Sequence, residues 1–233
     1  MALSNKKILG IITARGGSKG LIRKNILPFG NKPLLAWTIE AAKNSKYIDR
    51  VILSTDCSEI KEVALQYSCE VPFIRPADLA TDTATSADVI SHVLKNIDGF
   101  DYFVLLQPTS PLRSSNDIDS CIEKCINENA PSCISVCKSD IYPQLMYSIE
   151  DKQVLKPLLS GEYQTRRQDM KNYYTLNGSV YVVNISFFKK HGILITNHSI
   201  CFEMPKERSI DIDDEFDFSI AEFILNKNLM KEI

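Results

Sequence analysis

The amino-acid sequence predicts an α/β fold built on a mostly parallel, doubly wound, Rossmann-like sheet, with a smaller insertion or dimerisation arm in the C-terminal half. Apolar runs alternate with amphipathic stretches from residue 7 to about residue 138, as in repeated strand–helix units. The first run, 7–14, is continuously apolar, which is typical of a strand buried on both faces of a sheet. From about 140 to 209 the pattern becomes polar and weakly periodic, which indicates the insertion.

The remaining elements follow from local signals in chain order. Pro33 suits the first turn of a helix that runs to about residue 45, and Ser58 is expected to cap a helix that ends near residue 67. Apolar runs predict further strands at 51–54, 70–74, 102–106, 133–136, 178–184 and 200–204. Amphipathic stretches predict further helices at 85–95, 116–127 and 215–225. We interpret residues 1–233 as one domain.

Composition excludes some classes of protein. The net charge of -2 gives no overall basic field for nucleic acid. The apolar run at 7–14 is too short to span a membrane and lacks a signal-peptide cleavage site, so we expect a cytoplasmic protein without membrane contact. Seven cysteines are expected to be buried apolar residues, because their spacing differs from the close pairs of zinc sites.

A glycine-rich loop follows the first strand and reads A-R-G-G-S-K-G at 14–20. Glycines let backbone N–H groups approach phosphates, but the spacing fits neither a dinucleotide loop nor a P-loop. Arg15, Lys19, Arg23 and Lys24 lie within ten residues, and this charge suits a triphosphate whose terminal groups leave as pyrophosphate. A solvated basic loop is the alternative.

An acidic segment near the C-terminus predicts a magnesium site. Asp211 and Asp213 alternate along an extended stretch, so both carboxylates point to one face. Two oxygen ligands with open positions for phosphate and water suit Mg²⁺. The alternative is that the acidic residues complement a helix N-terminus, and we prefer that reading for Asp214 and Glu215.

Two further segments are candidates for a polar substrate. The stretch L-Q-P-T-S-P-L-R at 106–113 ends a strand in a loop made rigid by two prolines. Gln107 in this loop offers both a donor and an acceptor to a sugar, although the loop is equally consistent with a simple turn. Adjacent Arg166 and Arg167, with Asn177-Gly178 downstream, are suited to hold a carboxylate.

Taken together and in this order, the segments resemble the CMP-N-acylneuraminate (nonulosonate) cytidylyltransferase family over nearly the whole chain. Each motif alone is weak, whereas eight in one order are specific. The matching segments are A-R-G-G-S-K-G at 14–20, K-N at 24–25, S-T-D at 54–56, R-P-A-D-L-A-T-D-T-A-T-S at 75–86, L-Q-P-T-S-P-L-R at 106–113, R-Q at 167–168, N-G-S-V-Y at 177–181 and D-I-D-D-E-F-D at 211–217.

The resemblance implies an activity and an assembly. CMP would pass from CTP to the anomeric hydroxyl of a nine-carbon nonulosonic acid such as N-acetylneuraminate or legionaminate, with a divalent cation, Mg²⁺, as cofactor. The product would serve surface polysaccharide biosynthesis. The family also implies a homodimer in which a protruding arm reaches the partner's site.

The resemblance also assigns residues by matching positions. The nucleotide and its phosphates would contact Arg15, Gly17, Ser18, Lys19, Lys24, Asn25, Arg75 and Ser86, with Arg75 near cytosine. The sugar would contact Gln107, Arg166, Arg167, Gln168, Asn177 and Tyr181. The metal would bind Asp211 and Asp213, which with Arg15 and Lys19 form the catalytic set. For the sugar carboxylate Arg167 is the first candidate and Arg166 its rival.

One departure bears on the acceptor. Sialic acid enzymes of this family often carry an arginine two residues before the N-G motif, where this chain has Thr175. That favours a diacetamido analogue such as legionaminate. Two alternatives remain: a 3-deoxy-manno-octulosonate cytidylyltransferase, whose loop usually departs from A-R-G-G-S-K-G, and a non-catalytic CTP-binding module, which would have lost the charged residues of the site.

Overall fold

A computed structural model describes residues 3–17, 20–159 and 171–229. These residues form ten strands, in chain order β1 (Ile8–Thr13), β2 (Pro28–Phe29), β3 (Lys32–Pro33), β4 (Arg50–Ser54), β5 (Tyr102–Leu106), β6 (Ser132–Lys138), β7 (Tyr147–Glu150), β8 (Val154–Pro157), β9 (Tyr174–Asn184) and β10 (Ile200–Glu203). The α-helices in the same residues are α1 (Leu34–Lys43), α2 (Ser58–Gln66), α3 (Ser86–Asn96), α4 (Ser115–Asn127), α5 (Ile185–His191) and α6 (Glu215–Leu229).

A six-stranded sheet forms the centre of the molecule, in the order β10-β6-β9-β5-β1-β4. Strand β1 pairs in parallel with β4 and β5, and β10 pairs in parallel with β6. Strand β9 lies between β5 and β6 and is antiparallel to both, so the other five strands run in one direction. The predicted mostly parallel α/β sheet is confirmed.

Helices cover both faces of this sheet, as a doubly wound fold requires. Side chains of β1 alternate between the two faces: Ile8 and Ile12 join a core with α1, α2 and α4, whereas Leu9 and Ile11 join a core with α3 and α5. A third cluster packs α6 onto the β2–β3 hairpin through Phe29, Ile212, Leu225 and their neighbours. This cluster fixes the segment that precedes α6, and that segment carries the predicted metal ligands.

Two local predictions are wrong. Ser58 is the first residue of α2, not its cap; Cys57 precedes the helix and its side chain makes no capping hydrogen bond. The predicted strand at 70–74 is reduced to two isolated parallel bridges, Ile52 to Glu70 and Thr55 to Ile74. Pro72 stands between the bridges and has no N–H to donate to a strand ladder.

The helices α3 and α4 begin with full capping boxes. Thr85 and Ser114 each accept a hydrogen bond from the backbone N–H three residues on, and Asp88 and Asp117 return one. Each reciprocal pair satisfies two donors that a helix start otherwise leaves open. Helix α3 starts where the sequence predicted, and α4 starts one residue earlier, at Ser115.

Residues 140–209 contribute both to the sheet and to a separate hairpin. Strands β9 and β10 lie in the central sheet, where Val180, Val182 and Val183 are fully buried. Strands β7 and β8 form a two-stranded hairpin outside it. Within the described ranges no helix has both the length and the apolar character needed to cross a membrane.

Candidate active site

A cleft of about 650 Å³ opens at the carboxyl ends of β1 and β5. Its walls come from the glycine-rich loop, residues 75–89, the loop at 107–109, and the acidic segment that holds Asp211 and Asp213. Open α/β sheets bind their ligands at this edge. The fold therefore brings together four segments that the sequence marked separately.

The backbone of the glycine-rich loop is fastened at several points. Asn25 is buried and donates from Nδ2 to the carbonyl of Arg15 at 3.0 Å, and the N–H of Gly16 donates to Asp56 Oδ1 at 3.0 Å. A Cβ on Gly20 would lie 2.1 Å from the carbonyl oxygen of Asp213, so only glycine allows this approach. The loop is thus tied to β4 and to the acidic segment.

The cationic side chains in and just after the glycine-rich loop contact different partners. Arg15 reaches into the cleft and its Nη2 lies 2.8 Å from Asp82 Oδ1. Lys24 donates from Nζ to the carbonyl of Ile212 at 2.6 Å and lies 3.3 Å from Asp213 Oδ1. Arg23 pairs with Glu59 and is not among the residues that line the cleft. Ser18 and Lys19 lie outside the described residues, and their roles stay predictions.

A second wall supplies a buried cation and a helix start. Arg75 is 5% exposed and donates to both the hydroxyl and the carbonyl of Ser54. Burial lowers the pKa of Arg75 to about 10, so the side chain stays charged at neutral pH. Ser86 lines the cleft as the first residue of α3, where unpaired backbone N–H groups favour anions.

The acidic pair shows a geometry that suits a hard cation. Asp211 Oδ1 is buried and has no hydrogen-bond partner among the described residues, whereas Asp213 is exposed. Burial raises the pKa of Asp211 and outweighs the opposing effect of a hydrogen bond from Thr109, and the charge of Asp213 adds to the rise. A buried, unpartnered carboxylate oxygen beside a second carboxylate is a fitting pair of ligands for Mg²⁺. Within the described residues no third acidic, histidine or cysteine ligand joins them.

Gln107, which is predicted to contact the sugar, and Asp211 meet across the backbone of Gly178. This glycine has φ +70°, and a Cβ there would lie 2.9 Å from Gln107 Oε1 and 3.2 Å from Asp211 Oδ2. Tyr181 lies opposite Leu105 on β9. Burial raises the pKa of Tyr181, and the charge of Asp211 adds to the effect. Of the predicted sugar contacts within the described residues, Gln107 lines the cleft, whereas Asn177 and Tyr181 do not.

Asn177 is buried, and protein groups engage its side chain. Its Oδ1 accepts from the Ser135 hydroxyl at 2.6 Å and from the Ser179 N–H at 3.2 Å, and its Nδ2 donates to Ser209 Oγ at 2.9 Å. These bonds hold β6, β9 and the acidic segment together. A direct contact between Asn177 and the sugar stays a prediction. Arg166, Arg167 and Gln168 lie outside the described residues.

The family described as cytidylyltransferase matches residues 9–213. The chain belongs to this family. The cationic cleft and its acidic pair lie within the matched region.

Several curated proteins are similar in sequence to this chain. The chain is 35% identical over 228 residues to the N-acylneuraminate cytidylyltransferase of Escherichia coli, which covers 97% of this chain and 54% of that protein. It is 34% identical to the CMP-N,N'-diacetyllegionaminic acid synthase of Legionella pneumophila and 30% identical to the pseudaminic acid cytidylyltransferase of Campylobacter jejuni, covering 95% of this chain and 97% of each relative. The chain thus spans about half the length of the first relative.

A solved structure supports the fold assignment. A CMP:2-keto-3-deoxy-manno-octonic acid synthetase in complex with CTP superposes with a TM-score of 0.74, covering 95% of this chain and 99% of that one, at 14% identity. At that identity the likeness concerns the fold alone.

Two side chains that the sequence motifs did not indicate also support the site, and the first is Arg113. Arg113 is buried beneath the loop at 107–113 and donates from Nη2 to the carbonyls of Gln107 and Ser110 at 2.6 and 2.8 Å and to Thr38 Oγ1 at 3.2 Å. Its position at the end of the L-Q-P-T-S-P-L-R motif was the available signal. Arg113 fixes the loop that carries Gln107.

A second missed pair fixes the acidic segment. Arg208 binds the buried Asp117 carboxylate in a bidentate manner, with distances of 2.8 and 2.9 Å. Bonding to Arg208 and Ser114 outweighs burial and lowers the pKa of Asp117. The N–H of Ile212 donates to the Thr109 carbonyl at 2.8 Å. Asp211 is therefore presented from an extended segment that is anchored on both sides.

Proposed function

We propose that this protein transfers CMP from CTP to the anomeric hydroxyl of a nine-carbon nonulosonic acid and releases pyrophosphate. The observation that carries the proposal is the buried Oδ1 of Asp211, which has no hydrogen-bond partner among the described residues, in a residue that lines the same cleft as Arg15, Lys24 and Arg75. Transfer of a nucleotidyl group depends on positioning and charge stabilisation more than on covalent catalysis. The named relatives support the same reaction class.

The residues divide into three roles in this proposal. Arg15 and Lys24 neutralise the phosphate chain, while Arg75 and the start of α3 at Ser86 hold the nucleotide. Gln107 orients the acceptor so that its anomeric oxygen bonds to the α-phosphorus as the bond to pyrophosphate breaks. Asp211 and Asp213 would hold a divalent cation, which would supply positive charge to the phosphates.

The acceptor is proposed to be legionaminate or a close diacetamido analogue. Thr175 stands where sialic acid enzymes often have arginine, and its hydroxyl is engaged with the carbonyl of Cys137 at 3.5 Å. It therefore offers no cation to the sugar. The legionaminic acid relative, with 34% identity over almost its whole length, is compatible with this choice.

A panel of acceptors tests the proposal. Pyrophosphate release is measured with CTP and magnesium and, in turn, legionaminate, N-acetylneuraminate, pseudaminate and 3-deoxy-manno-octulosonate. We expect legionaminate to give a kcat/KM about tenfold or more above the other acids, because polar groups that lose a substrate partner discriminate strongly. Reactions without acceptor, or with a chelator, are the controls and should release nothing.

The other outcomes distinguish the alternatives. Preference for the eight-carbon acid would support the octulosonate enzyme, whose relative shares this fold. Tight CTP binding without release for any acceptor would indicate a non-catalytic module. The presence of Arg15, Asp211 and Asp213 in one cleft favours catalysis.

The protein is further proposed to be a homodimer that associates through the β7–β8 hairpin, which we name the arm hairpin. Cross-strand pairing places Tyr147, Ile149, Leu155 and Pro157 on one face, and the first three are more than half exposed. The opposite face is mainly polar, with Lys156 and Glu150 2.8 Å apart and Val154 as its apolar residue. A two-stranded hairpin is marginal by itself, and an exposed apolar face is typical of an interaction site.

The mass of the protein in solution tests the dimer. Light scattering should give twice the 26.3 kDa chain mass for the wild type and close to the chain mass for Ile149→Lys, because the lysine places a charge in the apolar face. Ser148→Lys adds the same charge to the polar face and should remain dimeric. A monomeric wild type, or dissociation by both variants alike, would contradict the proposal.

We place the enzyme in the cytoplasm, in surface polysaccharide biosynthesis. All seven cysteines are free and most are buried, as in a reducing compartment. Fractionation of the source cells, with recovery in the membrane or secreted fraction as the contrary result, tests the location. Loss of the nonulosonic acid from the cell surface on gene deletion tests the role.

A further inference from the structure

Asp82 places a carboxylate on the side of the cleft where the cations Arg15 and Arg75 lie, apart from the acidic pair at Asp211 and Asp213. It belongs to the segment at 75–86 that forms one wall of the cleft, and its Oδ1 lies 2.8 Å from Arg15 Nη2. A fixed negative charge opposes the binding of a triphosphate. Neither the transfer step nor the metal pair at Asp211 and Asp213 accounts for it.

The Arg15–Asp82 ion pair is exposed enough for a phosphate group to replace Asp82 as the partner of Arg15. The side chains are 32% and 50% exposed, and ion pairs that water reaches are weak. The other cleft arginine differs, since Arg75 is 5% exposed and held by Ser54. A phosphate group therefore competes for the Arg15 guanidinium far more easily than for that of Arg75.

The backbone on both sides of the pair is held in place, so only side chains need to move. The Arg15 carbonyl accepts from Asn25, and the next N–H donates to Asp56. Asp82 lies between a short 3-10 turn at Ala77–Ala80 and the capped start of α3 at Thr85. Rotation of the Arg15 side chain towards a phosphate requires no loop rearrangement.

We propose that Asp82 is a positioning residue that holds Arg15 in the empty cleft and yields it to the phosphate chain when a nucleotide binds. This inference rests on the proposed function. The exchange limits the affinity of the cleft for phosphate groups, because each binding event must break the Arg15–Asp82 pair. Pyrophosphate consequently leaves more readily, with Asp82 taking Arg15 back as it departs.

Binding measurements on the unreacted protein test the inference. Calorimetric titration with CTP and magnesium, with pyrophosphate and magnesium, and with cytidine is carried out on the wild type, Asp82→Asn and Asp78→Asn. We expect Asp82→Asn to bind CTP and pyrophosphate about fivefold more tightly, the factor that corresponds to the upper value for an exposed ion pair. Its affinity for cytidine, which has no phosphate, should be unchanged.

Asp78→Asn is the matched control, because it removes the same charge from an exposed position of the same segment that does not line the cleft. Its affinities should equal those of the wild type. A similar gain in both variants would assign the effect to net charge and overturn the proposal, as would unchanged or weaker binding in Asp82→Asn. Damage to the fold would weaken binding, so a gain is specific.

The Arg15→Ala background separates exchange from simple repulsion. If Asp82 acts through Arg15, adding Asp82→Asn to Arg15→Ala should give a clearly smaller gain than it gives in the wild type. An equal gain in both backgrounds would mean direct repulsion of the phosphates and would overturn the role of Arg15. Failure of the wild type to bind CTP would instead refute the proposed function itself.

Discussion

Asp211→Asn is expected to lower the rate of pyrophosphate release by about a hundred- to a thousandfold, the loss that removal of several kcal/mol of charge stabilisation produces. Asp211 Oδ1 is buried without a partner among the described residues, and the neighbouring carboxylate of Asp213 is exposed. An amide in place of Asp211 leaves the divalent cation with one charged ligand. The magnesium concentration for half-maximal rate should rise with the loss of turnover.

The stability of the variant distinguishes this loss from unfolding. Burial raises the pKa of Asp211, and a carboxyl group whose folded pKa exceeds its unfolded value destabilises the folded protein above the unfolded pKa, near 4. A neutral asparagine removes that cost at pH 7. The melting temperature of Asp211→Asn should therefore equal or exceed that of the wild type.

Asp214→Asn is the matched control for Asp211→Asn. The Asp214 carboxylate accepts from the N–H groups of Phe216 and Asp217 at the start of α6, and asparagine caps helices about as well as aspartate. The control removes the same charge three residues away and should keep nearly full activity. Equal losses in both variants, or full activity in Asp211→Asn, would remove Asp211 from the metal site.

Sequence patterns predicted secondary structure correctly where a run of residues is uniformly buried. Strand β5 lies at Tyr102–Leu106, as predicted, because all five residues are buried and no polar residue interrupts the run. The segment at 70–74 also reads as apolar, but Pro72 cannot complete a ladder. Ser58 was assigned as a cap from its residue type alone, whereas the chain turns into α2 one residue earlier.

The charged residues of the site could be predicted from the sequence, but the hydrogen bonds and ion pairs that hold them in place could not. Arg15, Asp211 and Asp213 stand in the cleft because parallel strands deliver their loops to one edge. The partners of Arg208 and Asn177 could not be predicted, since Asp117 lies 91 residues from Arg208 and Ser135 lies 42 from Asn177. Periodicity reports which face is buried and contains no information on such long-range polar pairs.

Arg113→Met is expected to lower the free energy of unfolding by about 3 kcal/mol, because the carbonyls of Gln107 and Ser110 lose their buried donor and each unsatisfied group costs about 1–3 kcal/mol. Burial works in the opposite sense on the arginine itself, since it lowers the pKa of Arg113 to about 9, and Nε and Nη1 have no partner among the described residues. Replacement by methionine removes the cost of burying this incompletely bonded guanidinium. The measured loss of stability is therefore the cost of the two unsatisfied carbonyls minus the cost of burying the arginine. It is smaller than the cost of the two carbonyls alone.

Denaturant unfolding and steady-state kinetics measure the two consequences separately. Release of the Gln107 carbonyl should lower kcat/KM for the acceptor about tenfold, the loss typical when a support of a site residue is removed. The KM for CTP should change little, because Arg75 and Ser86 belong to other segments.

Arg113→Lys retains charge and donors and should lose about half as much stability. Thr38→Val removes one acceptor of the network and should cost about 1 kcal/mol without the kinetic effect. If Arg113→Met kept the stability and acceptor kinetics of the wild type, the loop would be held by its prolines and by the Ser110–Asn177 bond, and Arg113 would have no part in presenting Gln107.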